Sequence, residues 1–232
     1  MHNVWGVCWC DVRSMCFVPR EVGDAHQQRP RNESVMDRQQ VAELHYITPI
    51  ENLASILRRG ILSHNRAGRL EHHSVALESV QDIRRGKSVP GGSTLHSYAN
   101  LYFHARNPMM YRLINNGYDS LVVLRVSAEV LDIPNTVVTD GNAATYGTRF
   151  YPSPEGLSHL EPTLIFGKWW TDENYTAVLE KKRARNAEVL VPDLVPLEYV
   201  EGCYVDTPTK QDACRSLTGL RTVAISGEIY FR

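Results

Sequence analysis

The sequence predicts an α+β fold in which central β-sheets of short strands are flanked by helices. Short apolar runs typical of buried strands alternate irregularly with segments whose apolar residues follow the helical period, and no segment repeats at a fixed interval. The 232 residues, 43% of them hydrophobic, are enough for one large domain or two small ones. No second domain is evident, so we predict a single domain over residues 41–232.

Residues 1–40 precede this domain and show no helical or strand period of any length. They mix Arg, Gln, Pro, Asn and Asp after a Cys-rich start, which is the composition of a poorly patterned, disordered extension. Because Met36 lies just before the first patterned segment, we also consider the hypothesis that residues 1–35 lie upstream of the natural start. Mass spectrometry of the native protein would test it.

The first patterned element is a strand at residues 44–47. Directly after it, Thr48, Pro49 and Glu51 have the spacing of a capping box with proline at the first helical position. We therefore predict a helix that begins here and ends at Gly60.

The middle of the chain alternates between loops and regular elements. Residues 63–95 are polar and loop-like, with one short helix predicted at 79–85. A strand at 101–103 is followed by a helix that Asn107-Pro108 opens and Asn116-Gly117 closes. The continuous apolar run 121–126 predicts a buried strand.

The last part of the chain begins with a long stretch punctuated by Gly and Pro, from Pro134 to about Leu160. A helix-like run then extends through Arg185 and gives way to a strand at 189–191. Further short strands are predicted at 199–205 and 222–231.

Charge and cysteine content limit the partners and the cellular compartment that the sequence predicts. A formal net charge of -1 and a pI near 6.8 provide no global basic field, so any nucleic-acid surface must be local. The odd number of cysteines favours a reducing compartment, and we expect the cytoplasm. No apolar run approaches the roughly 20 residues that cross a bilayer, and no signal-peptide pattern is present, so no membrane association is expected. The cysteines are at positions 8, 10, 16, 203 and 214.

Several common site motifs are missing from the sequence. It contains no P-loop, no G-x-G-x-x-G after a strand, no H-E-x-x-H and no G-x-S-x-G, which argues against nucleotide hydrolysis by a P-loop. Cys8, Cys10 and Cys16 have no Cys/His pair at zinc-finger spacing, and His72-His73 is typical of a solvated loop. We therefore expect no metal.

Residues 181–191 carry the most specific signal for chemistry. A basic helix end delivers a single carboxylate, Glu188, to the start of an apolar strand, where it is well placed for catalysis. The alternative is an ordinary surface carboxylate paired with a nearby Lys or Arg, and composition alone favours that alternative.

This segment resembles the catalytic-glutamate region of the DarT family, the DNA ADP-ribosyltransferase toxins. Other blocks resemble the family in the same order, so the resemblance covers the chain from Leu44 onward and implies an ADP-ribosyltransferase-like fold. The order of the blocks together is specific, whereas each block alone is not. They lie at residues 46–53, 60–65, 79–85, 95–103, 107–110 and 140–144.

Two departures from the family pattern bear on its details. The family usually has His directly before Ile-Thr, whereas here Tyr46 holds that place and His45 lies one residue earlier. Which of the two contacts the nucleotide stays open. Residues 95–100 and Arg106-Asn107 differ from the form associated with thymine-modifying members and lean toward a guanine-modifying branch.

The resemblance implies a toxin that transfers ADP-ribose from NAD⁺ to a guanine or thymine base in single-stranded DNA and so blocks replication. Glu188 would orient the nicotinamide ribose and stabilise positive charge on the sugar. Arg84 is the second catalytic candidate, as a ligand of the NAD⁺ phosphates or of negative charge on the acceptor base. Arg85 is its alternative if the alignment is off by one.

Two sets of binding residues follow from the same resemblance. A stacked base must be extruded or single-stranded to react, so aromatic and cationic side chains are expected to hold the DNA. The alternative for those aromatic residues is an ordinary mini-core under a long loop. The expected NAD⁺ contacts are His45, Tyr46, Ile47, Thr48, Asn52, Asn65, Arg84, Arg85 and Tyr102, and the expected DNA contacts are Tyr146, Arg149, Phe150, Tyr151 and Lys182.

The expected partners are single-stranded DNA and an antitoxin that removes ADP-ribose, either a macrodomain protein or a similar hydrolase. We expect a monomer. Two other functions remain open at this stage: the same chemistry directed at RNA or protein, and a nucleic-acid-binding or protein-binding module without chemistry.

Overall fold

An eight-stranded β-sheet organises the protein, whose computed structural model describes residues 35–217, 220 and 222–231. The strands within these residues are β1 (Glu43–Pro49), β2 (Ile61–Leu62), β3 (Tyr98–Tyr102), β4 (Leu121–Ser127), β5 (Val137–Thr139), β6 (Phe150–Pro152), β7 (Glu188–Pro192), β8 (Leu194–Val195), β9 (Val200–Val205) and β10 (Thr222–Ile225). The α-helices are α1 (Leu53–Arg59), α2 (His64–Ala67), α3 (Glu78–Gly86), α4 (Pro108–Asn115), α5 (Pro162–Phe166), α6 (Tyr175–Ala184) and α7 (Pro208–Arg215).

The strand order of the large sheet is β10-β9-β4-β1-β3-β7-β5-β6, and β2 pairs with β8 in a separate two-stranded sheet. All neighbours in the large sheet are antiparallel except β9 and β10, which are parallel. The sheet therefore brings β1, β3 and β7 side by side, although long stretches of chain separate them. Short 3-10 segments connect many of these elements, at Arg38–Gln40, Ile50–Asn52, Leu95–Ser97, Ala128–Asp132, Glu155–His159 and Leu197–Tyr199.

The two faces of the sheet bury different apolar clusters because side chains alternate along each strand. On one face, Val189 and Val191 of β7 join the largest cluster, together with Leu101 of β3. On the other face, Leu190 belongs to a small cluster and Tyr102 to a second one. Glu188 shares the face of Leu190, so a carboxylate lies on an otherwise apolar surface.

The helix predicted after β1 exists, but its predicted capping box is wrong. Thr48 remains in β1, where it pairs with Val122 of β4, and its hydroxyl accepts a hydrogen bond from the Asn52 side chain at 3.0 Å. A 3-10 segment, Ile50–Asn52, intervenes before α1. The pairing of the strand holds Thr48 away from the helix terminus that its sequence spacing suggested.

Other predicted elements differ mainly in their bounds. The strand predicted at 222–231 ends at Ile225, and residues 227–230 form a turn. The polar stretch 63–95 also contains α2, and the stretch from 134 to 160 contains two short strands. Helix α4 follows its prediction closely: the Asn107 side chain caps it by accepting from the Met110 N–H, and Pro108 is its first residue.

Most of the predicted N-terminal extension, together with Cys8, Cys10 and Cys16, lies outside the described residues. Residues 35–40 are described, and the Met36 side chain is only 1% exposed within the largest cluster. The last residues of the predicted extension therefore pack with the core of the domain. In the part of the chain that the structure describes, no helix is long and apolar enough to cross a membrane.

We predict that Gly60→Ala destabilises the fold by about 1–3 kcal/mol. Gly60 ends α1 with φ of 78°, and a Cβ at this position would lie 2.3 Å from the Val195 carbonyl oxygen. Urea unfolding measures the loss. Gly86→Ala is the matched control, because nothing lies within 4 Å of its added Cβ, and an equal loss in both variants would contradict the prediction.

Candidate active site

The predicted catalytic carboxylate occupies the first position of β7. Glu188 pairs with Tyr102 of β3, which in turn pairs with His45 of β1. Directly opposed residues of adjacent strands point to the same face, so the three side chains form a row across the centre of the sheet. Glu188 is completely buried, at 0% exposure. The surface carboxylate that composition favoured is therefore excluded.

A buried ion pair joins the two residues predicted to be catalytic. Arg84, on α3, donates from Nη1 to Glu188 Oε2 at 3.0 Å and to Oε1 at 3.3 Å. The Arg84 side chain is itself buried. Among the described residues, no hydrogen-bond partner reaches its buried Nη2 atom. Because a buried donor without a partner is costly, this atom is well suited to a ligand that brings an acceptor.

Burial and charge act in opposite directions on Glu188. Its complete burial raises the pKa above the ordinary value of 4.5, and the Arg84 guanidinium and a backbone hydrogen bond from Ala143 work against that rise. Arg84 therefore favours the ionised form of the carboxylate over the protonated form that burial favours.

Thr139 of β5 holds the backbone beside the carboxylate. The Glu188 N–H donates to its hydroxyl oxygen at 3.0 Å, and the hydroxyl donates to the Gly141 carbonyl at 2.7 Å. Sequence reasoning missed Thr139, because a threonine at the end of a three-residue strand carries no motif. The pairing of β5 with β7, which brings it here, is visible only in the structure.

The structure separates the two candidates of the opening strand. His45 lies on the face of Glu188, and its ring is bonded at both nitrogens: Nδ1 accepts from the Ala105 N–H at 2.9 Å, and Nε2 donates to Glu43 at 3.0 Å. Tyr46 packs against the cluster on the opposite face. His45 is thus held firmly in the row, and the Tyr46 side chain lies on the opposite face of the sheet.

Glu43 anchors this histidine through a wider network. Arg125 donates to its carboxylate at 2.6 Å and the Tyr204 hydroxyl donates at 2.8 Å. Although burial opposes it, these hydrogen bonds, with that of His45, lower the pKa of Glu43 to about 2. Glu43 was not predicted, and its role here is to fix the orientation of His45.

The other predicted NAD⁺ contacts are spread over several environments. Ile47 and Tyr102 pack in the same apolar cluster, next to Glu188. The Asn52 amide donates to the Thr48 hydroxyl and to the His73 carbonyl, and it accepts from the His73 N–H. Of these residues, Ile47 and Tyr102 share the face of the row, whereas Asn52 is held by Thr48 and His73.

Arg85 and Asn65 lie further from the row. The Arg85 side chain is 70% exposed and pairs with Asp82, so Arg84, rather than Arg85, reaches Glu188. Asn65 lines a separate cleft of about 460 Å³ and donates to the Ser97 hydroxyl at 3.2 Å. Its predicted contact with the nucleotide stays a prediction.

The loop of residues 140–149 carries two of the predicted DNA contacts beside Glu188. Tyr146 is 94% exposed, and Arg149 is also exposed. Arg183 of α6 fastens the loop by donating to both oxygens of Asp140 at 2.9 Å and to the Gly147 carbonyl at 2.7 Å. The anchored loop therefore presents an aromatic ring and a cation to solvent.

The remaining predicted DNA contacts are less accessible. Phe150 packs at the small cluster with the Lys87 ammonium 5.4 Å from its ring centre. Tyr151 stacks on His159 with ring centres 4.3 Å apart and packs against the largest cluster. The packing of Phe150 and Tyr151 agrees with the alternative given above, in which these aromatic residues form a small core under the loop. Lys182 is half-buried on α6.

Within the residues that the structure describes, no three His, Cys, Asp or Glu side chains come together as a metal site. The chemistry that the arrangement supports is electrostatic. A buried carboxylate whose ionised form is favoured by a neighbouring guanidinium can stabilise positive charge on a ligand at this face.

The stretch of the chain that holds His45, Arg84, Tyr102 and Glu188 matches a known family. Residues 45–231 match the family model described as "ssDNA thymidine ADP-ribosyltransferase, DarT", which is more than half of the chain. The chain belongs to the DarT family. The family resemblance and the fold class predicted from the sequence are therefore confirmed.

Two relatives within the DarT family illustrate the similarity of sequence. A "DNA ADP-ribosyl transferase-DNA ADP-ribosyl glycohydrolase fusion protein" of Thermosipho africanus is 34% identical over 172 residues, which are 70% of this chain and 42% of the fusion. A "DNA ADP-ribosyl transferase" of Thermus sp. is 30% identical over 169 residues, 68% of this chain and 78% of the relative. The chain thus spans less than half the length of the fusion protein.

Solved structures of the same two DarT proteins share the fold. T. africanus DarTG in complex with ADP-ribose has a TM-score of 0.71 at 29% identity, over 82% of this chain and 51% of that one. Thermus sp. 2.9 DarT in complex with ADP-ribosylated ssDNA has a TM-score of 0.71 at 26% identity, over 82% and 97%. Its complex with carba-NAD⁺ has a TM-score of 0.67 at 25% identity, over 82% and 98%.

We predict that Arg84→Ala destabilises the protein in a pH-dependent way. Without the guanidinium, burial raises the pKa of Glu188 further above its ordinary value of 4.5. At a pH below that value, Glu188 is protonated in both the folded and the unfolded chain, so the loss is small. At about pH 8 the folded protein must hold an unpaired buried charge or bind a proton, and the expected loss is about 3–5 kcal/mol.

Urea unfolding of Arg84→Ala and the unaltered protein at acidic and alkaline pH measures this difference. Arg85→Ala is the matched control on the same helix, because its exposed ion pair contributes little at either pH. A loss that is the same at both pH values would show that Arg84 does not act through the charge of Glu188.

Proposed function

We propose that this chain transfers ADP-ribose from NAD⁺ to a base of single-stranded DNA, with Glu188 and Arg84 at the reacting centre. The observation that carries the proposal is the buried Arg84–Glu188 pair beside Tyr102, in a chain of the DarT family. The names of the relatives support it, since both are DNA ADP-ribosyl transferases. The carba-NAD⁺ and ADP-ribosylated ssDNA complexes of the Thermus protein support the two substrates.

The position of Glu188 suits the cleavage of NAD⁺. Breaking the bond between nicotinamide and the ribose anomeric carbon leaves positive charge on the sugar while neutral nicotinamide departs. An ionised carboxylate stabilises that charge, and its complete burial makes the interaction stronger than in water. The acceptor base forms the new bond to the same carbon and loses one proton.

Arg84 has two roles in this proposal. It keeps Glu188 ionised through the 3.0 Å contact, and its Nη2 atom, without a partner among the described residues, is free to donate to a phosphate oxygen of NAD⁺. A guanidinium is a poor proton acceptor, because its pKa lies above about 12. We therefore assign it binding and charge stabilisation rather than proton transfer.

The acceptor would approach from the 140–149 loop. A base stacked in a duplex cannot reach the anomeric carbon, so the substrate must be single-stranded or extruded. Tyr146 offers an exposed ring for stacking, and Arg149 offers a cation for the phosphates. The family description names thymidine, whereas residues 95–100 favour guanine, so both bases belong in the assay.

We further propose that the chain acts as a toxin in the cytoplasm, by blocking replication, and that a separate hydrolase acts as its antitoxin. The support is the fusion relative, whose name joins a transferase to a DNA ADP-ribosyl glycohydrolase. This chain spans 42% of that fusion, so the hydrolase would be supplied by another polypeptide or segment.

We predict that Glu188→Gln lowers the rate of transfer by about 100-fold or more, because an amide cannot supply the negative charge. The assay incubates the protein with NAD⁺ and single-stranded oligonucleotides that contain guanine, thymine or both, and reads adduct mass and position by mass spectrometry. A gain of one ADP-ribose on one type of base identifies the acceptor.

Glu180→Gln is the matched control for this variant. Glu180 is an exposed carboxylate on α6, so its loss changes the net charge equally without touching the site. An unchanged rate of ADP-ribose transfer by Glu188→Gln would contradict the proposed mechanism. If adducts formed only on RNA or protein in parallel incubations, the DNA acceptor would be wrong while the chemistry stood.

We predict that expression of the chain arrests growth and that Glu188→Gln abolishes the arrest. Co-expression of a DNA ADP-ribosyl glycohydrolase should restore growth, because it removes the adduct. Colony counts and the ADP-ribose content of genomic DNA measure both effects. Equal toxicity of the unaltered protein and Glu188→Gln would contradict the toxin proposal.

A further inference from the structure

An aromatic platform lies on the surface at one end of the large sheet. It consists of Tyr111, Trp169, Trp170 and Phe231, gathered around Arg106. The rings of Tyr111, Trp170 and Phe231 meet edge to face, with centres 5.2 to 5.8 Å apart. Trp169 is 59% exposed and Tyr111 41% exposed. Large rings left in solvent in a group are typical of interaction surfaces.

Arg106 places a positive charge behind the exposed rings. Its guanidinium lies 4.0 Å from the ring centre of Phe231 and 4.6 Å from that of Trp169. Within the described residues, its guanidinium donates to the backbone carbonyls of Glu228 and Lys168. The cation therefore lies over the Trp169 ring, which is still 59% exposed to solvent.

The platform lies at the same end of the sheet as Glu188. Strands β3 and β7 are antiparallel, with Tyr102 at the end of one paired to Glu188 at the start of the other. The chain that leaves β3 and the chain that enters β7 are consequently neighbours. A direct contact joins them, because Arg185 donates to the backbone carbonyl of Arg106. Arg185 is three residues before Glu188 along the chain.

We propose that this platform stacks a base of single-stranded DNA that flanks the modified base, with Trp169 as the stacking ring. The inference rests on the proposed function and adds a second point of attachment for its substrate. Every base has a flat π-face, so stacking on an indole ring tolerates any sequence at that position. The Lys168 ammonium, on a side chain that is 53% exposed, complements the phosphates of the strand, although it shares its charge with Glu228 at 3.0 Å. Arg106 is itself buried and adds positive charge beneath the rings.

The platform differs from the 140–149 loop in what it recognises. Tyr146 and Arg149 lie on a loop fastened to Glu188 through β5, whereas Trp169 lies between α5 and α6. A strand held at both places would have its reacting base fixed from two sides. The platform then sets affinity and register, whereas the loop contacts the base that reacts.

The test measures binding of single-stranded oligonucleotides to Trp169→Ala by fluorescence anisotropy. All proteins carry Glu188→Gln, so that the DNA stays unmodified during the measurement. Loss of one stacked base should weaken binding about 5- to 150-fold. A series of oligonucleotides, each with one abasic position, locates the base: at one flanking position the abasic change should weaken binding to the unaltered platform but not to Trp169→Ala.

Two further variants keep the result interpretable. Tyr118→Ala removes a similarly exposed ring beyond the far end of α4, and should bind as the unaltered platform does. Trp169→Phe restores an aromatic ring and should recover most of the affinity. Thermal unfolding of each variant shows whether the fold is intact.

Unchanged oligonucleotide affinity in Trp169→Ala would overturn the platform proposal, as would a loss that no single abasic position reproduces. The proposal would also be overturned if Trp169→Ala changed the oligomeric state of the protein and left its DNA affinity unchanged, since the rings would then belong to a protein interface. If Trp169→Ala binds normally while the active chain still modifies DNA, only the platform is wrong. If the active chain neither binds nor modifies any oligonucleotide, the platform falls together with the proposed function.

Discussion

Holding one carboxylate and one guanidinium in the interior is the constraint on which the rest of the site depends. Removing Glu188 from water is costly, and the cost is offset only if Arg84 stays within hydrogen-bond distance and the neighbouring backbone supplies further partners. Strand β7 fixes the carboxylate, helix α3 fixes the guanidinium, and Thr139 bonds the backbone of Glu188. Tyr102 and Leu190, which share that face of the sheet with Glu188, belong to two different apolar clusters.

Those parts of the fold that depend on local signals could be predicted from the sequence. Helix α4 follows from Asn107 and Pro108, whose capping geometry needs only neighbouring residues. The apolar runs at β4 and β7 identify buried strands in the same way, and Gly60 marks the end of α1. Glu188 was found because its position at a strand start resembles a family motif, and the resemblance supplied what periodicity did not.

The rest depends on pairing between distant segments, which no local pattern encodes. Thr48 had the spacing of a helix cap, but the pairing of β1 with β4 holds it in the strand. The sequence left both His45 and Tyr46 as candidates for the nucleotide contact. Only the pairing of β1 with β3 shows that His45 is the one on the face of Glu188. Thr139 became visible only when β5 was seen beside β7. In each of these cases, the pairing of strands that are distant in sequence determined what the residue does, and neighbouring residues did not.

In the 140–149 loop, the groups that anchor the loop differ from the side chains that it exposes to solvent. Its attachments run through Asp140 and through backbone carbonyls, including that of Thr145, which accepts from Lys87 at 2.8 Å. A carbonyl is the same whatever side chain its residue carries. The exposed side chains of the loop, Tyr146 and Arg149, are therefore free to change in sequence while the reacting centre stays in place. A protein built in this way can acquire a new preference for base or sequence context by substitution at these positions, without redesign of its chemistry.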